Sequence, residues 1–299
     1  MPTLENVGAA GPRPVSGYAP SPVGLAPPEI PRTACHEGVR FEEMPVGRPR
    51  EWRKHPGTAG AGASDPADGG PYPVIEELLP DSVVAVETHG DDEADQVPLY
   101  PEEQAVVAQA VDKRRREFAV VRGCARRAME KLGVSPVPLL PGEHGAPRWP
   151  KGLIGSMTHC DGYHAAALAR ATDLASLGID AEPHAPLPDG VLRPVALPAE
   201  RERLAQLAAR QPAVHWDRLL FSAKESVYKA WFPLTGQWLG FDEADIEMYP
   251  APGAAPLGRF RAELLVPGPL VGSHRLGHFE GRWTVRQGVV ATAVTVPHT

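Results

Sequence analysis

Proline and glycine are crowded into the first 74 residues of this chain, in stretches such as GPRPVSGYAPSPVGLAPPEIP and HPGTAGAGASDPADGGPYP. The 299 residues hold 35 prolines and 30 glycines, and their uneven placement decides which part can fold. Few apolar positions recur there with a helical or strand period. Little burial is on offer to offset the entropy of ordering that backbone. Residues 1–74 therefore read as a mostly disordered extension, with RFEEMPVGRPREW as a short piece that can alternatively dock on the body. Any core must come from the rest, which is long enough to supply one.

From VIEELLPDSVVAVET the pattern becomes globular, and the acidic run DDEAD (Asp91 to Asp95) reads as a solvated loop. PEEQAVVAQAVDKRRREFAVVRGCARRAMEKLG reads as one long helix or two abutting ones. Pro101 suits a first helical position, Glu102 and Glu103 favour the N-terminal dipole, and Gly133 suits a stop. Three short runs, LIGSMTH, YHAAALAR and LASLGIDAE, are bounded by Gly or Asp and read as strands. PHAPLPDG is a loop and a junction. LPAERERLAQLAAR and VHWDRLLFSAKESVYKAWFP are helices, the second ended by Pro233, before four strand-like runs close the sequence. The expected class is α+β, with a first half over 75–185 and a second over 186–299.

A net charge of −7 disfavours a nucleic-acid partner, whose backbone needs a basic surface. Cys35, Cys124 and Cys160 form no CxxC spacing and no disulfide framework, which fits a reducing cytoplasm. No signal-type h-region and no apolar run of membrane-spanning length is present, so the expectation is a cytoplasmic protein without a membrane partner.

The chemistry-bearing residues fall in a few places. GIDAEP puts Asp180 and Glu182 at i and i+2, on one face of a strand whose limits Gly178 and Pro183 mark. Such a pair suits a bend into solvent or a hard cation such as Mg²⁺. In FSAKESVYKAWF, Lys224, Glu225, Tyr228 and Lys229 cluster by three- and four-residue spacing. Glu225 and Lys229 also stand in the order of a plain helix salt bridge, worth about 0.3–0.5 kcal/mol when exposed. KRRREF, with Arg122 and Arg126 beyond it, is either a solvated helix face or a set of forks for phosphate oxygens. His159 in MTHCDG is a strand-end histidine or a phosphate donor, with Thr158 offering a hydroxyl beside it.

Taken in order, these pieces resemble the 4′-phosphopantetheinyl transferases of the Sfp/EntD type, in the PptT-like branch that serves polyketide, nonribosomal-peptide, siderophore and lipid synthases. The resemblance rests on KRRREFAVVRGCARRAM, WPKGLIGSMTHCDGY, SLGIDAEPHAPLPDGVL, HWDRLLFSAKESVYKAWFPLTGQWLGFDEADI and GRWTVRQGVVATAV, and runs from about residue 78 onward. It implies two similar α+β halves with coenzyme A in the cleft between them, and a monomer suffices for that cleft. It also implies transfer of the phosphopantetheine arm from coenzyme A to a serine of an apo carrier-protein domain of a polyketide, nonribosomal-peptide or fatty-acid synthase. Adenosine 3′,5′-bisphosphate is the implied leaving group.

By the same resemblance Asp180, Glu182 and Glu225 hold Mg²⁺ (or Mn²⁺), and Glu225, Lys229 and Asp180 are catalytic. Arg114, Arg122, His144, Thr158, His159, Lys224 and Lys229 contact coenzyme A. Two positions depart from the family pattern, since Pro141 and Ala146 stand where relatives carry lysine. Two other readings fit the carboxylates: a Mg²⁺-dependent nucleotide phosphohydrolase, and a catalytically silent binder of coenzyme A or a carrier.

Overall fold

The computed structural model describes residues 73–90, 97–253 and 255–299. The extension expected over 1–74, with RFEEMPVGRPREW, lies outside them except for its last two positions. The acidic run at 91–95 lies outside as well. Among the described residues no helix is long and apolar enough to cross a membrane.

The first half begins with β1 (Val83–His89), followed by α1 (Pro101–Val106) and α2 (Asp112–Lys131). The expected single or double helix is thus two elements, α2 being the long one. β2 (Leu153–Cys160) and β3 (Tyr163–Arg170) form an antiparallel hairpin, and β1 pairs with the other edge of β3 to give the order β1-β3-β2. Both faces of β3 are covered. Ala165, Ala167 and Ala169 point one way, while Ala166 and Leu168 pack with Cys124, Ala125, Ala128 and Met129 of α2 on the other. Small side chains suit this middle strand because a layer must close on each side of it.

β4 (Leu174–Pro183) leaves that hairpin but ladders with the far end of the sequence. The second sheet runs β4-β10-β9-β6-β5, all antiparallel. Its other strands are β5 (Ala244–Pro250), β6 (Leu257–Leu264), β9 (His278–Arg286) and β10 (Val289–Pro297), with a small ribbon of β7 (Leu270–Val271) and β8 (His274–Arg275) between. The helices α3 (Leu192–Val195), α4 (Pro198–Arg210) and α5 (Trp216–Thr235) precede β5. Leu219, Leu220, Ala223, Val227, Ala230 and Trp231 of α5 pack against Phe260, Trp283 and Val290 of the sheet.

A third apolar layer joins the sheets. Leu177, Ile179 and Ala181 of β4 and Ala291 and Ala293 of β10 meet the Ala165–Ala167–Ala169 face of β3. The order of layers is therefore helix, sheet, sheet, helix. The chain has the mixed α+β architecture its element order led us to expect, although β4, assigned above to the first half, is hydrogen-bonded into the second sheet.

Two local expectations are corrected. Gly178 lies in the middle of β4 and does not mark its start. Pro233 sits inside α5, which runs to Thr235. The helix is stopped by Gly236, left-handed at φ 64°, whose N–H bonds back to the Phe232 carbonyl at 2.8 Å.

Candidate active site

Alternation along β4 sends Leu177, Ile179 and Ala181 into the layer between sheets, so Gly178, Asp180 and Glu182 face the other way, toward α5. The helix backbone comes very close. A Cβ built on Gly178 would sit 2.6 Å from the Ala230 nitrogen and 3.1 Å from the Lys229 carbonyl carbon, and nearer still to the Ser226 carbonyl oxygen. This approach brings the Lys229 ammonium to Asp180 Oδ1 at 2.7 Å, a sequence separation no helix pair supplies. Ser176 Oγ ties the same contact down by donating to the Ala230 carbonyl at 2.7 Å.

Asp180 is 4 % exposed. Its Oδ1 accepts from Lys229 and, at 3.3 Å, from Thr158 Oγ1. Its Oδ2 is buried with no hydrogen-bond partner among the described residues. A buried carboxylate oxygen left bare is costly and fits a cation or donor that arrives with the substrate. Glu182 accepts from Arg218 Nη1 at 2.9 Å. Burial, and then the Asp180 charge, push Glu182 up to about 8 despite Arg218. Glu225 is half-buried on α5 and makes no hydrogen bond among the described residues. Burial and the Asp180 charge push it up to about 7, against the pull of Lys229. For Lys229 burial works against the ammonium, but Asp180 and Glu225 outweigh it and raise its pKa.

The three carboxylates therefore feel one another, with Asp180 at the centre. Among the described residues no trio of His, Cys, Asp or Glu side chains closes into a metal cage. Mg²⁺ does not need one, since it takes one or two protein carboxylates and keeps water or phosphate for the rest. The bare Asp180 Oδ2 beside two carboxylates is a donor set that fits it.

The remaining expected residues fall in different places. Arg114 of α2 meets His159 at the end of β2, Nη1 to Nε2 at 3.0 Å, and Glu117 stands 3.5 Å from the same nitrogen. Its neighbours, His159 first and then Lys113 and Arg114, hold Glu117 below its usual range against burial. His144 sits exposed at the tip of a turn in which Pro141 bridges Pro147, at φ 50°. Its ring lies edge-on to Phe232 of α5, centroids 5.4 Å apart, so this loop of the first half reaches the second. Pro141 and Ala146, the two departures, both belong to that turn.

Three expectations are revised. Lys224 does not share the face of Glu225 and Lys229. It is buried on another side of α5, and its three donors go to the Phe241 carbonyl (2.5 Å), the Ala244 carbonyl (2.9 Å) and Glu200 Oε2 (2.9 Å), leaving none for a phosphate. Arg122 is 7 % exposed and no part of a solvated face. Its Nε donates to the Leu139 carbonyl at 3.0 Å and its Nη1 to that of Phe118, with fully buried Glu103 as counter-ion at 3.9 Å. Glu103 also bonds Arg126, so the acid read as a helix-dipole residue is an internal anchor. Thr158 is 4 % exposed, and its hydroxyl accepts the Ala181 N–H at 3.0 Å.

Arg218 escaped the sequence reading. It is 7 % exposed, and besides Glu182 it binds the Ala185 carbonyl (3.1 Å) and the Pro186 carbonyl (2.9 Å), fixing the chain just after GIDAEP. Its signal was an arginine two turns before Glu225 on the same helix. Trp231 proves to be core, whereas Tyr228 and Phe232 are only partly covered.

Comparison with known proteins bears on this arrangement. Residues 102–169 match the family model described as 4′-phosphopantetheinyl transferase N-terminal domain, and residues 176–267 match that of the 4′-phosphopantetheinyl transferase superfamily. The second match begins inside β4, the strand that pairs into the second sheet. The chain is 60% identical to 4′-phosphopantetheinyl transferase Svp of Streptomyces mobaraensis over 75% of its own length and 89% of the relative's. It is 48% identical to Npt of Nocardia iowensis, covering 74% of this chain and 99% of the relative. It is also 48% identical to PptT of Mycobacterium tuberculosis, over 66% and 85%; both are likewise named 4′-phosphopantetheinyl transferases.

Proposed function

The chain belongs to the 4′-phosphopantetheinyl transferase superfamily, and on that premise we propose that it moves the phosphopantetheine arm of coenzyme A onto a carrier-protein serine at Asp180, Glu182, Glu225 and Lys229. The observation that carries the placement is the bare, buried Oδ2 of Asp180, flanked by two carboxylates and a charged lysine. Mg²⁺ or Mn²⁺ would be held by Asp180 with Glu182 and Glu225, and its contribution is to neutralise pyrophosphate charge.

The side chains account for the rest. The serine oxygen forms a bond to the β-phosphorus, the bond to the bridging oxygen breaks, and adenosine 3′,5′-bisphosphate leaves. Glu225, raised to about 7 in the metal-free protein and without a side-chain hydrogen-bond partner among the described residues, accepts the serine proton. A base with a pKa near neutral is partly ionised and still able to take a proton at cellular pH, help usually worth about 10²–10⁴ in rate. Lys229 stays charged beside Asp180 and screens the departing phosphate. Arg114 and His159 receive the nucleotide end of coenzyme A, whose phosphate competes with Glu117 for the same two side chains. His144, on the turn against Phe232, would contact the same substrate from the first half.

Intact-mass measurement of an apo carrier protein, incubated with this protein, coenzyme A and Mg²⁺, tests the reading. The expected result is a gain of one phosphopantetheine group, lost on chelation. Coenzyme A consumed without any carrier would reveal a hydrolase. Coenzyme A bound but never consumed, across peptide, polyketide and fatty-acid carriers, would reveal a silent binder.

A further inference from the structure

Among the described residues the edge of β4 away from β10 carries no strand ladder; it meets β2 through side chains. The Ile179 N–H donates to Ser156 Oγ and the Ala181 N–H to Thr158 Oγ1, each at 3.0 Å. These two hydroxyls are alike in burial and task, with Ser156 and Thr158 each 4 % exposed. They differ in one respect. Thr158 Oγ1 also lies 3.3 Å from Asp180 Oδ1. A hydroxyl has one proton, and Oγ1 already accepts from Ala181, so that proton is free to be directed at the carboxylate.

We infer that Thr158 is a positioning residue for the transfer reaction, holding Asp180 by one oxygen so that the other faces the reacting groups. Lys229 binds Oδ1 from the α5 side and Thr158 binds it from the β2 side. Between them they fix both the carboxylate plane and which oxygen is left bare. This differs from a contact to the coenzyme A phosphate, the role the family resemblance gave Thr158, and it rests on the transferase reading above. It also links the two ends of the substrate. His159, the next residue, belongs to the Arg114 cluster, so one dipeptide of β2 serves both the nucleotide site and the reacting carboxylate.

The test compares Thr158→Val, Thr158→Ser and Ser156→Ala in the full chain. It measures kcat and KM for coenzyme A in carrier modification, coenzyme A affinity by calorimetry, and the melting temperature. T158V is expected to lower kcat about 10–100-fold, as loss of a residue that orients a reacting ligand does. KM and calorimetric affinity for coenzyme A should stay at the wild-type level. T158S restores kcat, and S156A, which loses the matching backbone bond but no carboxylate contact, keeps it. T158A carries the same test should the valine variant fail to fold. A rise in KM with weakened coenzyme A binding and unchanged kcat would overturn the inference in favour of a phosphate contact. Equal losses in S156A and T158V would overturn it in favour of a purely structural seam. Wild-type modification of the carrier with unaltered T158V refutes this inference alone, while no modification by the wild type refutes the transferase reading and the inference with it.

Discussion

Replacing Gly178 by alanine adds one methyl group where β4 and α5 touch, and its cost can be worked from the contact. The new Cβ meets the Ala230 nitrogen at 2.6 Å, the Lys229 carbonyl carbon at 3.1 Å and the Ser226 carbonyl oxygen closer still. These are backbone atoms of α5, so no side chain can swing aside. Restoring an ordinary separation of roughly 3.5 Å requires the helix to retreat by about 1 Å. That retreat stretches the 2.7 Å bond between Lys229 and Asp180 past hydrogen-bond range and moves Glu225 with it.

Overpacking of this kind costs about 1–3 kcal/mol, and each kcal/mol lowers the melting temperature of a body this size by roughly 2–4 °C. A displacement of about 1 Å among reacting groups costs on the order of 10² in rate. Gly178→Ala is therefore expected to melt several degrees lower and to modify its carrier about a hundredfold more slowly, by calorimetry and timed intact-mass assay. A G178A protein that melts and turns over like wild type would refute the close approach. One that melts lower but keeps its kcat would refute the idea that helix position governs the carboxylates.

Glu225→Gln removes the proposed base but little volume, so transfer should fall about 10²–10⁴-fold with the fold intact by circular dichroism. Burial and neighbouring charge raise Glu182 to about 8 and Glu225 to about 7, above the 4.5 of an unperturbed glutamate. The folded chain thus takes up protons across that window, and the metal-free protein should lose stability as pH rises from about 5 to about 8. A melting temperature that climbs over this range without metal would contradict the placement of the two acids. Lys224→Met leaves Glu200 buried without its cation and should cost about 3–5 kcal/mol, while KM for coenzyme A stays unchanged. A large rise in that KM would return Lys224 to the substrate.

The two acid positions were legible because strand alternation is strictly local: i and i+2 share a face whatever covers it. Glu225 and Lys229 were legible for the same reason, one turn apart on a helix. Periodicity is silent about which element covers a face. Lys224 and Glu225 are neighbours in sequence, but α4 and the Phe241–Ala244 segment lie over one and β4 over the other. Gly178 looked like punctuation because its reason, the α5 backbone, arrives from about fifty residues later. Arg122 and Arg126 looked solvated because their counter-ion, Glu103, belongs to a different helix and was itself explained by a helix dipole. Arg218 and Thr158 act on the carboxylates through pairings no window of sequence contains.

β4 takes its backbone ladder from β10, which follows in the chain only after α5 and the rest of the second sheet. On a ribosome, β4 emerges long before that partner. During the wait it is an unpaired edge of apolar residues, a template to which another nascent chain can add. Asp180 and Glu182, charged and spaced at every second position, are the kind of residues that spoil such additions. Pairing across so long a separation also comes late in folding. Pulse-labelled exchange should therefore find the Thr292 and Val290 amides of β10, opposite the two acids, among the last to be protected. On this reading the two carboxylates guard their own strand until β10 closes beside it.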